Sequence, residues 1–211
     1  MSNYLAWAVI PLVLMIVAAP IFYILPTSSD KYLTALRLRA KNSGCFVKMA
    51  SLDKLDVNES ELVRSSGRFV QPKYQLMSYT RLIQSKVDFH QPFLFRRISD
   101  RTPQSISRLS KDWGIFRETT QINGIAEPDN RVSFLDKYAN ELMSIFQTLP
   151  SDVQGLSIDS KRLVIFWNES EGTISKRKRL SKEKIEQKAQ ENLEPINCCF
   201  RELENLIDQL S

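Results

Sequence analysis

From Tyr4 to Leu25 the chain carries no charged side chain; the run is YLAWAVIPLVLMIVAAPIFYIL, 22 residues long. At about 1.5 Å per residue a helix of that length reaches about 33 Å, enough to cross a hydrocarbon core of about 30 Å. Tyr4 and Trp7 stand near one end and Tyr23 near the other, where amphipathic rings favour the membrane interface. Pro11 and Pro20 are tolerated in a membrane helix more readily than in a soluble one. A buried helix of a soluble domain would show a polar face, and this run has none. The competing reading is a cleaved secretory signal, which starts with positive charge and has an apolar core of about 7–15 residues. Met1-Ser2-Asn3 has no basic side chain and the apolar run is too long, although Val17-Ala18-Ala19 resembles a weak cleavage site. The run is therefore read as an anchor.

Flanking charge sets its direction. Lys31, Arg37, Arg39, Lys41 and Lys48 follow the run with only Asp30 against them, and no basic side chain precedes it. The positive-inside rule then expects the short N-terminus outside and everything after the span in the cytoplasm.

Beyond the anchor about 180 residues remain, enough for one domain with its own core. With 43% hydrophobic and 25% charged residues, the chain has the composition of a folded protein and not of a disordered one. A net charge of +5 is too mild to dictate a polyanionic partner, so the distribution of charge matters more. The cysteines are Cys45, Cys198 and Cys199. An odd count with an adjacent pair is no disulfide framework, and reduced thiols in a reducing compartment are expected. A vicinal-thiol metal site would lack the second Cys or His pair that zinc needs.

Pro26-Thr27-Ser28-Ser29 breaks the span. Ser29 or Asp30 is the expected cap of a helix to about Asn42, with Gly44 as its stop. Cys45 to Met49 follows as a strand, and a short helix is expected around Glu59–Val63. Residues Tyr74–Ile83 and Val87–Ile98 read as strands, with Pro92 marking an edge or a break. Asp100 to Asp129 shows no clear pattern, though Trp113, Ile115 and Phe116 suit packing onto a sheet. Asn130 to Leu149 is an amphipathic helix, with Ser133 and Asp136 resembling a capping box and Pro150 ending it. Gly155–Asp159 and Leu163–Trp167 read as a hairpin turning at Ser160-Lys161. Leu180 to Ser211 reads as helix, broken or restarted near Pro195. The expected fold is α+β: an anchor over 1–26, then one domain over 27–211 with an antiparallel sheet and several covering helices.

The residues offer little catalytic chemistry. His90, the single histidine, lies among apolar residues and reads as a packed or edge side chain. There is no glycine-rich phosphate loop and no GxSxG elbow. No catalytic, cofactor-binding or metal residue is assigned, and no cofactor is expected. Two segments stand out. Lys176, Arg177, Lys178 and Arg179 form a basic run just before a helix start, where they oppose the helix dipole and belong to a loop. For a tethered domain the matching polyanion is the anionic lipid headgroup; nucleic acid is disfavoured because interleaved aromatics for stacking are missing. The plain alternative is a solvated charged loop. The second segment is the terminal helix, where Ile196, Cys199, Leu203, Leu206 and Leu210 repeat at heptad spacing, broadened by Phe200 and Ile207. Phe200, Leu203 and Ile207 are either core or a face for a partner helix, and covering the sheet favours core.

The single N-terminal span, the stretch LTALRLRAKNSGCFVKM, and the stretch LPSDVQGLSID before LVIFWNE resemble a group of single-span inner-membrane proteins of gammaproteobacteria. The likeness covers the anchor, residues 33–49 and residues 149–169. Some proteins of that group are described as translocase accessories of the YajC type, from which this chain departs in its far larger soluble part. The resemblance implies an inner-membrane location and no particular activity or site. The expectation is thus a single-pass accessory or interaction protein whose partners are the bilayer, anionic headgroups and another membrane protein. The alternative is a membrane-associated enzyme using carboxylates or Cys45.

Overall fold

The computed structural model describes residues 26–63, 67–84, 89, 92–100, 102, 107–116, 130–169 and 181–209. The expected span over Tyr4–Leu25 lies outside them; among the described residues no helix is long and apolar enough to cross a membrane.

The first helix, α1 (Ser28–Asn42), begins one step before its expected cap. Thr27, not Ser29 or Asp30, is the N-cap. Its Oγ1 accepts from the Asp30 N–H at 3.2 Å while Asp30 Oδ2 accepts from the Thr27 N–H at 2.9 Å. The reciprocal pair satisfies two orphan donors at once, which neither Ser29 nor Asp30 achieves as cap, and leaves Ser29 free to be buried. At the other end Gly44 takes φ +85°. The Cys45 N–H then reaches the Ala40 carbonyl at 2.9 Å and the Gly44 N–H the Lys41 carbonyl at 3.1 Å, a Schellman stop.

The remaining elements are β1 (Phe46–Asp53), α2 (Glu59–Leu62), β2 (Lys73–Leu82), β3 (Phe93–Arg97), β4 (Ser107–Arg108), β5 (Trp113–Phe116), α3 (Asn130–Gln147), β6 (Val153–Asp159), β7 (Arg162–Trp167) and α4 (Lys182–Asp208). The strands form one sheet in the order β1-β2-β7-β6-β3-β5-β4, every neighbouring pair antiparallel. The fold is α+β, as the order of elements implied. The hairpin β6–β7 turns at Ser160-Lys161, where Asp159 Oδ1 accepts from the Ser160 N–H at 2.8 Å and Oδ2 from Arg162 Nε at 3.0 Å.

Cross-strand register aligns Tyr79, Ile165, Leu156 and Phe95 on one face of the sheet. That face packs on the helices: Phe146 of α3 meets Phe95 and Trp113 with ring centroids 5.0 Å apart in each case. Tyr32, Leu36 and Ala40 of α1 and the stripe of α4 complete the same buried cluster. On the opposite face the Arg96 side chain crosses Gly155, and its Nη2 donates to the Asp53 carbonyl at 2.7 Å. A Cβ on Gly155 would stand 3.2 Å from Arg96 Cδ. This strap ties β3 to the end of β1, with three strands between them in the sheet order, so the β1–β2 end curls over the outer face.

Three further sequence expectations change. The strand placed over Val87–Ile98 is Phe93–Arg97, starting after Pro92, whose missing N–H and fixed φ delay the ladder; residues 85–88 and 90–91 lie outside the described residues. The unpatterned stretch supplies β4 and β5, too short to show alternation. The terminal helix does not break at Pro195: α4 runs through it. The lost backbone bond and ring clash cost about 3 kcal/mol. Leu193, Ile196, Cys199 and Phe200 on either side are all buried, each apolar side chain being worth about 1.5–3 kcal/mol, so one continuous stripe outweighs the proline. The expected Ser133–Asp136 cap involves side chains outside the described set.

Candidate functional site

Phe200, Leu203 and Ile207 are 0%, 0% and 1% exposed. The face offered to a partner helix is occupied by the chain's own core, because the sheet needs α4 as cover. Lys176 to Arg179 and His90 lie outside the described residues. Cys45 and Cys199 are buried free thiols and Cys198 is half-buried. Burial pushes the Cys45 and Cys199 thiols up, away from the thiolate a nucleophile needs. Cys198 is raised first by its hydrogen bond to Glu202, 3.4 Å away. Among the described residues no group of three or more His, Cys, Asp or Glu is placed to hold a metal ion.

The helices α1 and α4 lie side by side and parallel. Near their starts Pro26, Asp30 and Lys31 share a cleft with Lys182 and Ile185. Further along, Arg39 Nη1 donates to Gln190 Oε1 at 2.8 Å, and Ser43 Oγ donates to Asn197 Oδ1 at 3.3 Å. Both N-termini are therefore at one end of the domain, beside the point where residue 26 enters it. Each has a side-chain cap, Thr27 and Ser181.

A buried polar knot holds α1 to the end of the sheet. Glu169, just after β7, is 7% exposed. Its Oε1 accepts from the Tyr79 hydroxyl at 2.6 Å, and its Oε2 accepts from Arg37 Nη2 at 2.6 Å and Nε at 3.1 Å. Burial first, then the Glu169 charge, pushes the Tyr79 hydroxyl well above the usual tyrosine range. Hydrogen bonding to Glu169 raises Arg37. The sequence reading missed this knot because its members are 90 and 132 residues apart from Glu169. The only local signal was a glutamate two residues after an apolar strand.

α1 covers β2 and β7 but leaves β1 partly bare. Between α1 and β1 runs an open groove. One section of about 250 Å³ is lined by Leu33, Arg37, Met49, Met77 and Glu169. The next, about 700 Å³, is lined by Arg37, Leu38, Lys41, Val47, Lys48 and Met77. Arg37 and Met77 belong to both sections.

Comparison with protein-family models, with curated proteins and with solved structures finds no match to this chain.

Proposed function

We propose that the protein is a membrane-tethered accessory or interaction protein of the bacterial inner membrane. In this reading Tyr4–Leu25 crosses the bilayer once, the N-terminus is outside, and the domain faces the cytoplasm. One observation carries it: the parallel packing of α1 and α4. The chain enters the domain at Pro26, directly after the apolar run, and Pro26 shares a cleft with Lys182. Arg179 precedes Lys182 by three residues and Lys176 by six. At no more than about 3.5 Å per residue, chain length alone limits the separation of these residues from Lys182 to about 10–20 Å. A basic segment so close to the exit of a span faces the headgroups of the leaflet, where each Lys or Arg near an anionic surface contributes up to about 1 kcal/mol. The burial of Cys45, which pushes its thiol up and away from the thiolate, argues against the cysteine-based enzyme reading.

The test is flotation of residues 27–211, which contain the whole buried cluster, with vesicles of phosphatidylglycerol and phosphatidylcholine. The domain floats with anionic vesicles at low salt and is released as salt rises, because screening shortens to about 10 Å at 0.1 M. Replacing Lys176 to Arg179 with Gln removes most of the binding. Equal flotation of mutant and wild type makes the basic run a solvated loop.

A further inference from the structure

We propose that the open edge of β1, with the groove beside α1, is a strand-addition site for an extended segment of a partner protein in which apolar and acidic residues alternate. The proposal names the partner chemistry for the interaction role above, and rests on that reading.

The first observation is the edge itself. β1 pairs with β2 over eight consecutive residue pairs with no bulge, and among the described residues no strand follows it in the sheet order. The Lys54 N–H donates to the Pro72 carbonyl at 2.8 Å, which fixes the phase of the ladder. Since hydrogen-bonded pairs alternate, Phe46, Lys48, Ala50 and Leu52 face β2 while Val47, Met49 and Ser51 turn their N–H and C=O groups outward; Asp53 turns only its N–H outward, its carbonyl being taken by Arg96. A row of unpaired groups this long is a template for another strand, and proteins normally blunt it with proline, a bulge, short length or charge. β1 has no proline and a single lysine. The opposite edge, β4, is only two residues long.

The second observation is what flanks that edge. Met49 is 77% exposed and Phe46 is 56% exposed. Val47 and Met49 share the helix-side face with Met77, and α1 raises Leu33, Leu38 and Lys41 beside them. An added strand would lay alternate side chains into this groove, and thioethers adapt to varied partners. The third observation is charge. Arg37 and Asp53 are paired, to Glu169 and Lys73. Among the described residues Lys41 and Lys48 have no carboxylate partner. Lys48 projects from the face opposite Val47 and Met49, where the acidic side chains of a segment that lays its apolar ones in the groove would lie, and Lys41 adds positive charge at the groove's end. A second copy of β1 fits worse, because it would bring the same two lysines from both chains together.

The experiment uses the full chain in nanodiscs of zwitterionic lipid and an acetylated peptide of about ten residues alternating Glu and Val, against its Lys and Val counterpart. The acidic peptide binds at least about tenfold tighter than the basic one and slows amide exchange at Val47, Met49, Ser51 and Asp53. Met49→Pro, which deletes one outward N–H and no β1–β2 bond, weakens binding at least about tenfold while the melting midpoint stays within about 3 °C. The double variant Lys41→Glu, Lys48→Glu reverses the peptide preference. The Gln variant of Lys176 to Arg179 binds the peptide as wild type does, so loss of lipid binding and loss of strand addition are told apart. Equal binding of both peptides, unchanged exchange at the four outward amides, or a chain that sediments as a dimer split by Met49→Pro would each overturn the proposal, the last by making a second copy the occupant.

Discussion

Leu203→Ala tests the placing of α4 most sharply. Leu203 is fully buried, and Phe200, Leu206 and Ile207 around it are buried too. Truncation removes most of an apolar side chain and leaves a void in a helix whose apolar stripe is buried from Ile185 to Ile207. Such a site collapses poorly, so the cost falls in the upper part of the Leu→Ala range, about 3–5 kcal/mol. For a domain of this size each kcal/mol lowers the melting temperature by about 2–4 °C, giving a fall of about 6–20 °C. The assay is thermal unfolding of the full chain in detergent micelles, followed by circular dichroism. Leu38→Ala is the control: Leu38 is 57% exposed on α1, and its loss costs under about 0.5 kcal/mol. A Leu203→Ala chain that melts within about 3 °C of wild type would refute the interior placing and return this face to a partner.

Tyr79→Phe deletes a hydrogen bond to the buried Glu169 carboxylate and lowers stability by about 1.5–3 kcal/mol, read as a shift in the urea midpoint at constant slope. The same tyrosine sets an alkaline limit. Its folded pKa is raised above the ordinary value of 10.0, so its contribution is complete below about pH 10 and is lost as pH climbs beyond it. Midpoints measured from pH 8 to 12 fall at the alkaline end, and fall less steeply for Tyr79→Phe; parallel curves would discard that assignment. Native thiol titration labels Cys198 alone, with Cys45 and Cys199 reacting only after denaturation. Native labelling that survives Cys198→Ser would contradict their burial.

Much of the fold was legible because its elements announce themselves locally. α3 shows an apolar stripe, and β2, β6 and β7 are runs of apolar and β-branched residues with turn residues between them. Gly44 as a helix stop was readable because few residues accept positive φ. What escaped depends on distant partners. The cap moved to Thr27 because Asp30 three residues on answers it. Pro195 stayed within a helix because Leu193 and Ile196 must both reach one core. β5 is visible as a strand only beside β3, through Arg97 opposite Trp113. The groove along β1 could not be read at all, since it follows from α1 lying over β2 and β7, and sequence periodicity does not set that offset. The Arg37, Glu169 and Tyr79 knot likewise has no sequence proximity to betray it.

The proposed arrangement is a domain tethered at its α1 and α4 end to the cytoplasmic side of a membrane. The most direct measurement is a pair of reporter fusions after Ser211 in a bacterial host, one active only outside the cytoplasm and one only within it. The cytoplasmic reporter works and the external one is silent, with both chains sedimenting with the membrane and resisting extraction by alkaline carbonate. An active external reporter, or a chain released by carbonate, would contradict the account.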